Sequence, residues 1–126
     1  MSQERPLIAI VDDEESVRRA LHRLLRSTGM KVDTFATGGE FLQSLADHKP
    51  DCVVLDIHMP GVTGFDVLAR LANAGPPLPV VIITGHDSTE THDRALAAGA
   101  MAYLRKPVND EALLEAIHHA IGGASA

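Results

Sequence analysis

VVLDIHMPG (residues 53–61) runs three apolar, β-favouring residues straight into an aspartate, then into a loop of histidine, proline and glycine. An unbroken apolar run of this length reads as a strand buried on both faces, and such strands belong to parallel sheets covered by helices. A carboxylate inside that core would be costly. Asp56 therefore makes sense only if the strand's C-terminal end opens onto a site.

Working outward, similar runs recur. LIAIV (7–11), KVDTF (31–35), CVVLD (52–56), PVVIIT (79–84) and MAYL (101–104) are the expected strands. Between them lie helical patterns. Val17, Leu21, Leu24 and Leu25 fall at i, i+4, i+7 and i+8 and end at Gly29, which suits a helix C-cap. Phe41, Leu42 and Leu45 mark a second helix to about His48, and Phe65, Leu68, Leu71 and Ala72 a third that stops at NAGPP (73–77). Asp87 with Glu90 three residues on predicts the start of a fourth, closed by Gly99. The fifth starts at Asn109 and carries Leu113, Ala116, Ile117, Ala120 and Ile121 on one face. Five βα units predict an α/β fold, a doubly wound five-stranded parallel sheet with helices on both faces and a ligand crevice at the strand C-termini.

Composition narrows the function classes. The 126 residues fit a single domain, with a core over about 7–121 and GGASA (122–126) as a frayed tail or the start of a linker. Apolar residues are 45% and charged ones 22%, a folded balance and not a disordered one. A net charge of -6 argues against direct nucleic-acid binding, which needs clustered Lys and Arg. The single cysteine, Cys52, reads as an inert core residue and fits a reducing compartment. MSQERP precedes only five apolar residues, so neither a signal-peptide core nor a membrane span is expected, and a cytoplasmic location is.

Polar residues at strand ends converge in this architecture. The first strand ends in Asp12 and Asp13, the third in Asp56, the fourth in Thr84, and Lys106 follows the fifth. Each alone could be a cap or turn residue; five at matching topological positions point to a site. Three close carboxylates repel one another by about 1–4 kcal/mol per pair and need a counterion. Oxygen ligands without cysteine or spaced histidines suit Mg2+. A lysine and a threonine hydroxyl complete a cradle for a phosphoryl group, with one carboxylate as nucleophile.

On IVDDE (10–14), VVLDIHMPGVTG (53–64), IITG (82–85) and YLRKP (103–107) the chain resembles the receiver domain of two-component response regulators over about residues 7–121. The resemblance implies a flavodoxin-like fold with strand order 2-1-3-4-5. It makes Asp56 the phosphoacceptor and Asp13 and Asp56 ligands of Mg2+. Asp12 would act mostly through a bound water, and the His58 backbone carbonyl would supply a further oxygen. Lys106 would pair with the phosphoryl oxygens, Thr84 would move to hydrogen-bond them, and Tyr103 would be the switch aromatic that turns inward with it. The implied partners are a sensor histidine kinase or phosphotransfer protein, a linked or separate output domain, and a second copy in a phosphorylation-dependent homodimer. ITGH together with VDDEESVRRAL leans towards receivers joined to helix-turn-helix transcription domains. The Lys106-Pro107 peptide resembles one that is usually cis.

The polar opening GHDSTETHD (85–93) carries few apolar anchors and is the expected mobile element, so the face formed by the fourth helix, fifth strand and fifth helix is the expected switch surface. His58 and His86, each two residues past a site residue, either influence the phosphoryl lifetime, as the resemblance implies, or are solvent-facing loop residues. His118 and His119 are adjacent on a helix and cannot share a face, so a metal pair is not expected there, and His22, His48 and His92 read as surface residues. Two other classes compete. A dehalogenase-type aspartyl-phosphate hydrolase wants Asp-x-Asp after the first strand, where DDEES has adjacent acids; a degenerate receiver would lack part of the acid, threonine and lysine set.

Overall fold

A computed structural model describes residues 5–75 and 77–124. The central strands β1 (Leu7–Val11), β3 (Cys52–Asp56) and β4 (Val80–Thr84) lie between the half-exposed edges β2 (Lys31–Phe35) and β5 (Ala102–Arg105) in one parallel sheet ordered β2-β1-β3-β4-β5. Each apolar run is split by the two-residue period of a strand. Ala9, Val11, Val53, Leu55, Val80 and Ile82 join the core on one face, against Phe41, Val67, Leu68 and Ala95. Ile8, Ile10, Cys52, Val54, Val81 and Ile83 join the core on the other, against Leu21, Leu25, Leu113, Ile117 and Ala120. Helices α1 (Glu15–Ser27) and α5 (Asp110–Ala124) thus cover one side, and α2 (Gly38–Ser44), α3 (Gly64–Ala72) and α4 (Thr89–Ala97) the other. That is why the runs had to be apolar at every position: each Val, Leu or Ile buried this way contributes about 1.5–3 kcal/mol.

Local signals explain the helix boundaries. Gly29 and Gly99 both take positive φ, +90° and +108°, as the C-terminal stops require. Asn109 caps α5 through its Oδ1, which accepts from Ala112 N at 2.9 Å. Four expectations change. The second helix ends at Ser44 instead of near His48, because the chain tightens into i→i+3 turns from Leu45 to Asp47. On α3 the buried pair is Val67 and Leu68, while Ala72 is exposed past the edge of the core. The cap of α4 is Ser88, whose Oγ accepts from Thr91 N, because Asp87 is engaged elsewhere. The last helix continues through Gly122 to Ala124 where a tail was expected; no proline interrupts it, and the preceding Ala120 is packed on the sheet. Residues 125–126 of the expected tail, the start of MSQERP and Pro76 of NAGPP lie outside the described residues.

Candidate functional site

Sheet register brings the strand-end residues together. Val11 pairs with Leu55 and Asp56 with Ile83, so one step further places Asp12 beside Asp56, and Thr84 beyond Ile83. Asp12 N donates to Phe35 O at 3.1 Å and Lys106 N to Thr84 O at 2.8 Å, which extends the ladder past the strands. Asp12, Asp56 and Thr84 are the buried polar residues of the core, each at most 2% exposed, while Asp13 is exposed.

The carboxylates of Asp12, Asp13 and Asp56 offer oxygens within 4.8 Å of one another. At that separation each ionised pair repels by about 1–3 kcal/mol. Lys106 partly answers the charge: its Nζ lies 2.9 Å from Asp12 Oδ2, 3.1 Å from Glu14 Oε1 and 3.6 Å from Asp56 Oδ2. Burial works to lower the Lys106 pKa, but Asp12, Glu14 and Asp56 outweigh it and the net direction is up. The Asp56 carboxyl is pushed up to about 7, first by burial and then by the Asp12 charge, against the pull of Lys106 and the His58 N–H. His58 N donates to Asp56 Oδ1 at 3.2 Å, and Glu14 N to Asp12 Oδ1 at 2.8 Å. Asp12 Oδ2 is close enough to Lys106 for an ion pair but off hydrogen-bonding geometry, and among the described residues it is a buried oxygen without a hydrogen-bond donor. A hard divalent cation fits that need: three clustered carboxylates, one of them with an orphaned oxygen, and no soft ligand among them.

Thr84 Oγ1 accepts from His86 N at 2.9 Å. The loop that follows Asp56 is fixed by close packing. A Cβ on Gly64 would lie 2.6 Å from both Asp56 O and Ile57 Cα, and Thr63 and Asp66 form a reciprocal capping box at the start of α3. Lys106-Pro107 is cis, as the resemblance implied. His58 and His86 are exposed, with rings edge to face at 4.9 Å. Tyr103 is half-buried, with its hydroxyl on Asp87. His92, expected at the surface, is half-buried with its ring against that of Tyr103. Cys52 is buried, its thiol pushed up to about 12 by desolvation.

Two residues had no assigned role. Glu14 is the N-cap residue of α1 yet makes no capping bond; its side chain turns to Lys106. The two lie 92 residues apart in sequence, so only the third acid of DDE hinted at it. Arg18 donates to Asp12 O at 2.8 Å, one turn into α1, with no distinguishing sequence signal.

A family model described as the response regulator receiver domain matches residues 8–118. Nodulation protein W of Bradyrhizobium diazoefficiens is 37% identical over 113 residues, covering 90% of this chain and 50% of that protein. The response regulator protein TmoT of Ectopseudomonas mendocina is 36% identical over 121 residues, covering 96% of this chain and 55% of that one. The chain thus spans about half the length of either relative. A crystal structure of a response regulator receiver protein from Burkholderia phymatum superposes with a TM-score of 0.84 at 47% identity, covering 94% of this chain and 96% of that one.

Proposed function

The chain belongs to the response regulator receiver family, whose members are phosphorylated on an aspartate, and from that membership we propose that Asp56 is the phosphoacceptor of a signalling switch. The observation that carries the proposal is Asp56 itself. It is a carboxylate 2% exposed, at a strand end, with two further carboxylates within 4.8 Å and the Lys106 ammonium 3.6 Å away. Nothing about core packing calls for a charge there.

Asp56 would attack the phosphoryl group of a phosphohistidine on a sensor kinase or phosphotransfer protein, or of a small acyl phosphate. As its carboxylate oxygen forms the new O–P bond, the P–N bond to the donor imidazole breaks, and the imidazole takes a proton from solvent. Mg2+ held by Asp13 and Asp56, by Asp12 through a bound water and by the His58 carbonyl would offset the carboxylate repulsion and the charge on the incoming phosphoryl oxygens. Lys106, already among these acids, exchanges its contact with Asp56 for the phosphoryl oxygens. Thr84 gives up the amide of His86 to donate its hydroxyl to the same group. Phosphorylation changes one negative charge to about two and adds acceptor oxygens, so contacts available only in the phosphorylated arrangement shift a pre-existing equilibrium. The face of α4, β5 and α5, with Tyr103, would carry that shift to a linked or separate output domain in the cytoplasm, and slow autodephosphorylation would reset it.

Mass spectrometry after incubation with acetyl phosphate and Mg2+ tests this reading. One added phosphoryl group is expected, absent without Mg2+ and absent in Asp56→Asn. No adduct, with no spectroscopic response to beryllofluoride, would point to a binding module instead.

A further inference from the structure

Tyr103 is tied to the start of α4 on several sides. Its hydroxyl donates to Asp87 Oδ1 at 2.7 Å. Arg105 Nε lies 3.8 Å from Asp87 Oδ2, and the Tyr103 ring meets His92 edge to face at 4.9 Å. Ser88, not Asp87, caps the helix, and the Asp87 carboxylate accepts the hydroxyl instead. The bond joins β5 to the loop leaving β4, just beyond the pairing of Thr84 with Arg105. A carboxylate acceptor makes it a charge-assisted bond, stronger than one between neutral groups.

We propose that Asp87 is a latch on Tyr103 that holds the β4–α4 loop in its resting arrangement and so sets how much of the protein occupies the active arrangement before any phosphoryl group arrives. The proposal rests on the reading of Thr84 and Tyr103 given above and adds the residue that regulates them. Thr84 Oγ1 accepts the His86 amide, so a threonine that turns to a phosphoryl group must release His86, with Asp87 next to it. The other contacts of this segment lie at the surface, the His86 ring on His58 and Arg94 over the Phe65 ring. Gly85, His86 and Asp87 are exposed, and within α4 the buried anchor is Ala95. A contact made in the resting state alone lowers the apparent affinity of every ligand that selects the active state, and removing it raises that affinity.

The chain has one tyrosine and no tryptophan, so its intrinsic ultraviolet emission reports Tyr103 directly, and hydrogen bonding to a carboxylate quenches tyrosine emission. The full chain would be compared as wild type, Asp87→Ala, Tyr103→Phe and the double variant, with Mg2+ and beryllofluoride titrated by calorimetry. Asp87→Ala should emit more strongly before any ligand is added and bind beryllofluoride about ten- to a hundredfold more tightly, the range expected for the loss of one hydrogen bond to a charged group. In the Tyr103→Phe background the same substitution should give no further gain. Unchanged resting emission or unchanged affinity in Asp87→Ala would overturn the latch. So would a gain that persists without the hydroxyl, which would reflect only the removal of a negative charge. If neither wild type nor Asp87→Ala responds to beryllofluoride, the phosphoacceptor reading itself fails. If both respond with equal affinity, that reading stands and the latch alone falls.

Discussion

Replacing Asp56 with asparagine should make the metal-free protein more stable at neutral pH. Asp56 is 2% exposed, and its carboxyl is raised from 3.8 to about 7 by burial first and the Asp12 charge second. Because the folded pKa lies above the unfolded one, the folded chain holds the extra proton between about pH 4 and pH 7. Stability is therefore greatest below that window, falls as pH rises through it and levels off above. A rise of about three units at about 1.4 kcal/mol each caps the effect at about 4 kcal/mol. Asparagine keeps the shape and an acceptor for the His58 N–H but deprives Lys106 of one anionic partner, which brings the expected gain at about pH 8 to about 1–3 kcal/mol. Urea unfolding in the presence of a chelator would measure it. The gap should shrink several-fold at about pH 4.5, where the wild-type carboxyl is protonated. Mg2+ at about 100 times its dissociation constant should add about 2.7 kcal/mol to the wild type and much less to the variant. A variant less stable than wild type at pH 8 without metal, or a gap that ignores pH, would refute this electrostatic account of the site.

Other consequences are read off single residues. Gly64→Ala should cost about 1–3 kcal/mol in unfolding free energy, since both atoms its Cβ would strike are backbone; a change within about 0.5 kcal/mol would show that the loop yields. Tyr103, raised to about 12 by burial and then by Asp87, should ionise at lower pH in Asp87→Ala, though not at the ordinary value because the burial persists; spectrophotometric titration of this single tyrosine decides it. Cys52, buried and with its thiol pushed up to about 12, should resist alkylation in the folded protein and react once urea unfolds it; rapid labelling without denaturant would contradict its place in the core.

Much of this architecture was legible because burial on both faces forces unbroken apolar runs. LIAIV, CVVLD and VVIIT announce the three central strands, and Asp12, Asp56, Thr84 and Lys106 stand out because each follows such a run. What escaped was settled by tertiary contact. Asp87 and Ser88 both satisfy a local capping pattern, and the choice fell to Ser88 because Tyr103, 16 residues away, takes the aspartate. Val67 is buried and Ala72 is not, a difference set by how far α3 overlaps the sheet and not by helical period alone. The pairing of Glu14 with Lys106 joins residues 92 apart in sequence, and beyond the third acid of DDE nothing local marks it. No helix among the described residues is long and apolar enough to cross a membrane, in keeping with the hydropathy of the sequence.

The central claim is that Asp56, and neither of its acidic neighbours, takes the phosphoryl group. Borohydride reduces an aspartyl phosphate to homoserine, so treating the chain with acetyl phosphate and Mg2+, reducing it and sequencing its peptides by tandem mass spectrometry locates the modified residue. Homoserine at position 56 alone is the predicted result; homoserine at position 12 or 13, or at no position, would contradict the account.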